Sequence, residues 1–260
     1  MNVAVKALEI VTSIIWVLLI VVVALAAFAV QDLAFEVYKP TASLSQSGSA
    51  VFPMRVNVNN LGGSDMKAVT VTAVLYGAND TELAGVSSLA NIVPARRNAT
   101  VLQNLTVTGD ALARNDARWL FEDRNCTIGV SVGSTFGQVL PAELSANVSS
   151  FWGAPFFNFS LAKPVVAAFN STHEGVAFSL SFVNHASSTV AGNFTTDLFD
   201  QNGVFRGRSQ VSFDLERFAP FADNLQFYVP APTSALEKGY VEFQLSSSFC
   251  DYGPWVVPFG

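Results

Sequence analysis

Two histidines, two cysteines and a loose acidic run carry the most reactive side chains in this 260-residue sequence. A metal ion needs donors that converge on one point, and His173 and His185 have no HxxxH, HExxH or Cys-His spacing around them. They read as loop histidines near strand ends. Asp110, Asp116, Glu122 and Asp123 lack the alternating oxygen-ligand spacing and central glycine of a calcium loop, and read as a solvated helix face. No glycine-rich phosphate loop, nucleophile elbow or Ser-His-Asp trio can be assembled. The expectation is a chain that is not an enzyme, with no catalytic, cofactor or metal site.

Cys126 and Cys250 are the only cysteines. In an exported chain such a pair reads as a disulfide, here tying the end of one domain to the end of another. Against it, equivalent strands of end-to-end domains lie tens of ångströms apart, whereas bonded Cα atoms come within about 7 Å. A bond and two free thiols both stay open.

Export itself rests on two signals. Asn-x-Ser/Thr triplets start at Asn79, Asn98, Asn104, Asn125, Asn147, Asn158, Asn170 and Asn193, where about three would arise by chance. Asn, Ser and Thr crowd turns and strand faces in any β protein, yet the excess reads as glycosylation of several sites on an external surface. The second signal is "IVTSIIWVLLIVVVALAAFAV", Ile10 to Val30, which carries no charge. At 1.5 Å per residue it spans the roughly 30 Å hydrocarbon core as a helix. Lys6 precedes it while Asp32 and Glu36 follow, which leaves residues 1–9 cytoplasmic and the remainder outside. Ala27-Phe28-Ala29 offers the competing reading of a cleaved signal peptide; the length of the run and its poor basic flank favour an uncleaved anchor. A net charge of -6 opposes a nucleic-acid partner, since phosphates demand a basic stripe and Arg96-Arg97 is the only adjacent basic pair.

The elements that would hold these residues are strands. Twenty-two Phe against five Tyr, with abundant Val, Ser and Thr, fit half-buried pleated surfaces, so the fold class is all-β. The strands also repeat. "LAFEVYKP" at Leu33 is echoed by "FNFSLAKP" at Phe157, and the same 124-residue offset lays "VFPMRVNVNN" at Val51 on "GVAFSLSFVN" at Gly175. Met54, Val56 and Val58 match Phe178, Leu180 and Phe182, alternating as a strand with one face on a core. Asn60 and Asn184 end the two copies and suit turns that tolerate left-handed backbone. After a small gap, the hairpin Val71 to Gly85 matches Phe194 to Gly207, whose Asn202-Gly203 is a hairpin-turn dipeptide. A Pro-bearing loop and strand follow in each copy, Ile92 to Val107 and Arg217 to Val229. Cys126 to Phe136 then matches Tyr240 to Phe249, with about a dozen extra residues around Ala111 to Asn125 that form a short helix or ordered loop. A repeat this long means tandem domains. The layout is residues 31–140 and 156–260 as β-sandwich domains, joined by a linker over 141–155.

The run "VNVNNLGGSDMKAVTVTAVLYGANDTELAG", its Pro loop and the strand after it resemble the water-stress and hypersensitive-response domain of LEA14-like proteins. The likeness covers mainly Phe35 to Val107 and more faintly Phe159 to Val229. It implies a fibronectin-type-III-like sandwich and a non-enzymatic stress or envelope role. "VPARRN" and "FAPFAD" depart from the glycine-bearing turn of that family.

Three functions follow. The first is a membrane-anchored extracellular interaction protein, offering loops and edges to a partner such as a surface layer. The second is a surface-filament subunit whose Ile10 to Val30 helix packs in the filament core, although "VKALEI" is a poor version of a pilin-type processing site. The third is a secreted chain, either a LEA14-like stress protein or a small-molecule- or sugar-binding exoenzyme fragment, which ranks last for want of converging polar residues. The apolar end "DYGPWVVPFG" reads as a last edge strand or a strand for donation.

Overall fold

The computed structural model describes residues 11–24, 33–45, 47–77, 80–136, 140–168, 170, 173–230 and 238–260. Residues 11–24 are helical and form α1. Among the described residues no helix is long and apolar enough to cross a membrane; the other parts of the Ile10 to Val30 run, residues 10 and 25–30, lie outside them.

The other described residues are all-β apart from one helical insertion. The first half holds β1 (Leu33–Tyr38), β2 (Ser43–Leu44), β3 (Ser49–Asn60), β4 (Met66–Tyr76), β5 (Glu82–Val93), β6 (Arg97–Thr108), helices α2 (Gly109–Asn115) and α3 (Arg118–Phe121), β7 (Arg124–Phe136) and β8 (Leu140–Trp152). The second holds β9 (Phe157–Leu161), β10 (Val165–Ala168), β11 (His173–Val183), β12 (Val190–Asp200), β13 (Phe205–Leu215), β14 (Pro220–Pro230), β15 (Gly239–Ser247) and β16 (Asp251–Phe259). In each half one sheet is built on a central strand, β3 or β11, flanked by β6 or β14 on one side and by two short strands on the other. The second sheet runs β5-β4-β7-β8 or β13-β12-β15-β16. All pairings are antiparallel, and the two halves repeat strand for strand.

The alternation buries as expected. Met54, Val56 and Val58 are within the first core, and Phe178, Leu180 and Phe182 within the second. In the second half the sheets meet through phenylalanine. Phe182 lies 5.7 Å from Phe194 and 5.3 Å from Phe213, and Phe178 lies 5.0 Å from Phe243, separations at which edge-to-face pairs add to burial.

Three local departures have physical reasons. The small gap in the repeat falls at Ala68, whose φ of 49° accompanies a slip in the pairing of β4 with β7. Asn60 and Asn184 do not adopt positive φ. Each is buried instead and ties the loops between its two sheets. Asn60 Nδ2 donates to the Ser64 and Val93 carbonyls while its Oδ1 accepts from Gly62 N, and Asn184 repeats this with Ser188, Leu215 and Ala186. Left-handed backbone appears at Arg96 (φ 54°) and Phe218 (φ 64°), in the two turns that lead into β6 and β14.

The expected linker over 141–155 is a correction. Leu140–Trp152 is β8, paired with β7 from Phe136↔Leu140 to Arg124↔Trp152. It is an edge strand, and Pro141 stands at the start of its pairing, where proline is tolerated; its sparse apolar residues disguised the alternation. The true connection is Gly153 to Phe156, and Ala154, Pro155 and Phe156 are buried. The apolar C-terminal stretch forms the edge strand β16, paired with β15.

Candidate functional site

The junction of the two sandwiches gathers Asp110, Asp123 and His185 from the residues that the sequence singled out. Asp123 sits at its centre: Oδ1 accepts from Ala154 N at 2.9 Å, and Oδ2 lies 2.8 Å from Nδ1 of His185. His185 N in turn donates to the Ala154 carbonyl, and the imidazole stacks on Phe157 at 4.0 Å. This histidine and this carboxylate brace the connection between domains. Asp116 binds Arg118 and Arg124, and these guanidiniums, Arg118 foremost, hold its carboxyl down at about 2. Glu122 is exposed, and His173 starts β11, away from His185 in the sheet. The acidic run is thus part packing device rather than a uniformly solvated face. Among the described residues no group of three or more His, Cys, Asp or Glu is placed to hold a metal ion.

Backbone meets backbone across this junction because three glycines permit it. A Cβ on Gly48 would lie 1.7 Å from the Ser248 carbonyl oxygen, one on Gly109 would lie 2.1 Å from that of Phe249, and one on Gly153 would lie 2.1 Å from that of His185. With those approaches open, the Phe249 side chain from the β15–β16 turn packs 5.7 Å from Trp152 of the first sandwich. Trp152 also meets Phe52 and Trp119 and donates its indole N–H to the Trp119 carbonyl. On the other flank Phe121 of α3 contacts Phe159 and Tyr252. The two cores are one continuous apolar cluster.

Cys126 and Cys250 are both buried and both free, so the disulfide is not formed. They are not equivalent positions. Cys126 lies on β7, where its Sγ donates to the Ser150 carbonyl, whereas Cys250 lies in the turn after β15. Burial pushes the Cys126 thiol up to about 11 and the Cys250 thiol up to about 12, so both are neutral and poor nucleophiles.

Of the sequon asparagines, Asn98, Asn104, Asn125, Asn147, Asn158 and Asn170 are exposed. Asn193 is half-buried and accepts from the Ser212 hydroxyl. Asn79 lies outside the described residues.

Two clefts open on the junction. A groove of about 370 Å³ is lined by Lys39, His185, Arg217 and Phe151. The larger cleft, of about 500 Å³, lies between α2 and β16 and is lined by Asp110, Arg114, Asp251, Tyr252, Pro254 and Trp255. Asp110 Oδ1 accepts from Asp251 N at 3.2 Å, which joins the two walls. Asp251 Oδ1 accepts from the Ser246 hydroxyl at 2.6 Å. The aromatic rings of Tyr252 and Trp255 stand 5.2 Å apart. Sequence reading did not assemble this set, because its walls lie far apart in the chain; the available signals were the helical insertion and the unusual aromatic tail.

No protein-family model matches the chain, and comparison with curated proteins gives no match. Among solved structures, a red sea bream transglutaminase is similar over 88% of this chain and 31% of its own, at 16% identity and a TM-score of 0.32. A bacterial adhesin from Mobiluncus mulieris containing intramolecular disulfide, isopeptide and ester cross-links is similar over 83% of this chain and 79% of its own, at 11% identity and 0.34. A glycosyl hydrolase family 2 member from Bacteroides cellulosilyticus is similar over 82% and 28%, at 11% and 0.32. The chain spans about a third of the length of the transglutaminase and of the glycosyl hydrolase that it matches.

Proposed function

We propose that the chain is a single-pass, membrane-anchored, N-glycosylated protein of the cell envelope, in which two docked immunoglobulin- or fibronectin-III-like sandwiches form a rigid, non-enzymatic interaction surface. The observation that carries this reading is α1. Its large side chains are apolar on every face and all substantially exposed, from Val22 at 46% to Ile20 at 62%. A helix apolar all round needs lipid or protein around it, and the uncharged sequence continues to Val30, long enough in total to span a bilayer. The weak charge bias puts the N-terminus in the cytoplasm and the sandwiches outside, where exposed sequon asparagines would meet the glycosylation machinery. Two antiparallel four-stranded sheets in each half, each with long strands facing a shared core, support the sandwich assignment that the fibronectin-III-like reading and the likeness to water-stress and hypersensitive-response domains both require.

Fractionation of cells that make the protein tests the reading. The full-length chain should stay in membranes through carbonate extraction, run heavier than its sequence mass, and lose both sandwiches to protease added outside intact cells. A mature N-terminus at Leu8 would point to the filament subunit, and one at Val30 to the secreted form; either would overturn the anchor.

A further inference from the structure

We propose that the cleft between α2 and β16 binds a neutral oligosaccharide. It rests on the exterior placement proposed above, because glycans are the ligands an envelope surface meets, and it gives that surface a ligand class.

The cleft lies at the longer of the two breaks in the duplication. The β6–β7 connection, residues 109–123, is longer than its counterpart, residues 231–238, and contains α2 and α3. Asp110 and Arg114 of α2 form one wall, and the start of β16 forms the other. At about 500 Å³ the space is that of a small-molecule site, commonly about 300–1,000 Å³.

The lining matches the two surfaces of a pyranose. A sugar ring has an apolar C–H face that packs on an aromatic ring, and a rim of hydroxyls that both donate and accept. Tyr252 and Trp255 provide amphipathic aromatic rings, and both are held from behind. Trp255 packs on Phe243 at 6.0 Å and Phe159 at 5.8 Å, and Tyr252 packs on Phe121 at 5.6 Å. Gly253 makes that placement possible: its φ is 110°, and a Cβ there would lie 2.9 Å from the Trp255 ring and 2.6 Å from the Phe243 carbonyl oxygen. A ring held by its own neighbours loses little freedom when a ligand arrives.

The polar groups are oriented with capacity to spare. Each carboxylate commits one oxygen to the protein, Asp110 Oδ1 to Asp251 N and Asp251 Oδ1 to Ser246, which leaves the Oδ2 of each for a sugar hydroxyl. Arg114 spends Nε on the Asp110 carbonyl and keeps its terminal nitrogens as donors. The Tyr252 hydroxyl and the Trp255 indole N–H have no partner among the described residues. Two carboxylates against one guanidinium leave the lining negative, which disfavours phosphorylated, sulfated and uronic ligands by like-charge repulsion.

The test uses the full chain in a detergent without a sugar headgroup, probed with maltotriose, cellotriose, mannotriose and chitotriose by calorimetry and saturation-transfer NMR. At least one should bind saturably. Trp255→Ala should weaken it by about tenfold or more, as should Asp110→Asn, which keeps the fold and removes a charged acceptor. Val165→Ala, on an exposed site of the other sheet, should leave it unchanged. Absence of saturable binding by all four sugars, binding that survives Trp255→Ala and Asp110→Asn together, or a preference for a heparin-derived tetrasaccharide would each overturn the inference. These outcomes are read on purified protein, so they stand apart from the fractionation result, which decides the exterior placement alone.

Discussion

Gly109→Ala puts the docking of the two sandwiches to the test with a single methyl group. In the native structure that group would sit 2.1 Å from the carbonyl oxygen of Phe249, 2.8 Å from its carbonyl carbon and 2.9 Å from its ring. Two of these are backbone atoms of the other sandwich, so no rotamer change relieves the contact, and the surfaces must part by about an ångström. Parting loosens the Phe249–Trp152 contact, now 5.7 Å, and the 3.2 Å bond from Asp251 N to Asp110. Overpacking of this kind costs about 1–3 kcal/mol. Alanine also favours the helical start of α2, an opposing gain of at most about 1 kcal/mol over glycine. The net expectation is a loss of about 1–2 kcal/mol in urea unfolding, with faster proteolysis at Gly153 to Phe156 as the domains separate. Gly63→Ala is the control, since nothing lies within 4 Å of its added methyl; it should be neutral or stabilising by up to about 1 kcal/mol. A Gly109→Ala protein as stable and as protease-resistant as the parent would refute the claim that these backbones touch.

Three further outcomes can be measured directly. Phe182→Ala opens a cavity among Phe156, Phe194, Phe213 and Phe221 and should cost about 3–5 kcal/mol in chemical denaturation; a loss under about 1 kcal/mol would mean that the β11 face is misread. Ellman's reagent should detect no thiol in the native chain at neutral pH and two once it is unfolded without reductant, because Cys126 and Cys250 are buried and unbonded; no thiol after unfolding would restore the disulfide. Asp116 has its carboxyl depressed from 3.8 to about 2, so its stabilising contribution is complete above about pH 4 and disappears as pH falls through about 2. The melting-temperature gap between the parent and Asp116→Asn should therefore close across that window, and a gap constant from pH 5 to pH 2 would refute the assignment.

Much of the architecture was legible in the residues because strand burial is a local, period-2 property. Met54-Val56-Val58 and Phe178-Leu180-Phe182 show which face is inside without any knowledge of the partner sheet. The duplication was legible for the same reason: the 124-residue offset survives in β3 and β11, and the later gaps coincide with the Ala68 irregularity and the α2–α3 insertion. The free thiols, the role of Asn60 and Asn184, the buried connection and the α2–β16 cleft were not legible. Each depends on which surfaces meet across the two sandwiches or their sheets. Pro141 to Trp152 has the composition of a linker and becomes a strand only because β7 offers it an edge. Asp110 and Asp251 are unrelated in sequence and share a cleft only because Gly48, Gly109 and Gly153 let the two backbones close. Local pattern determined the strands and their duplication; steric contact between distant backbones decided the junction, and with it the site.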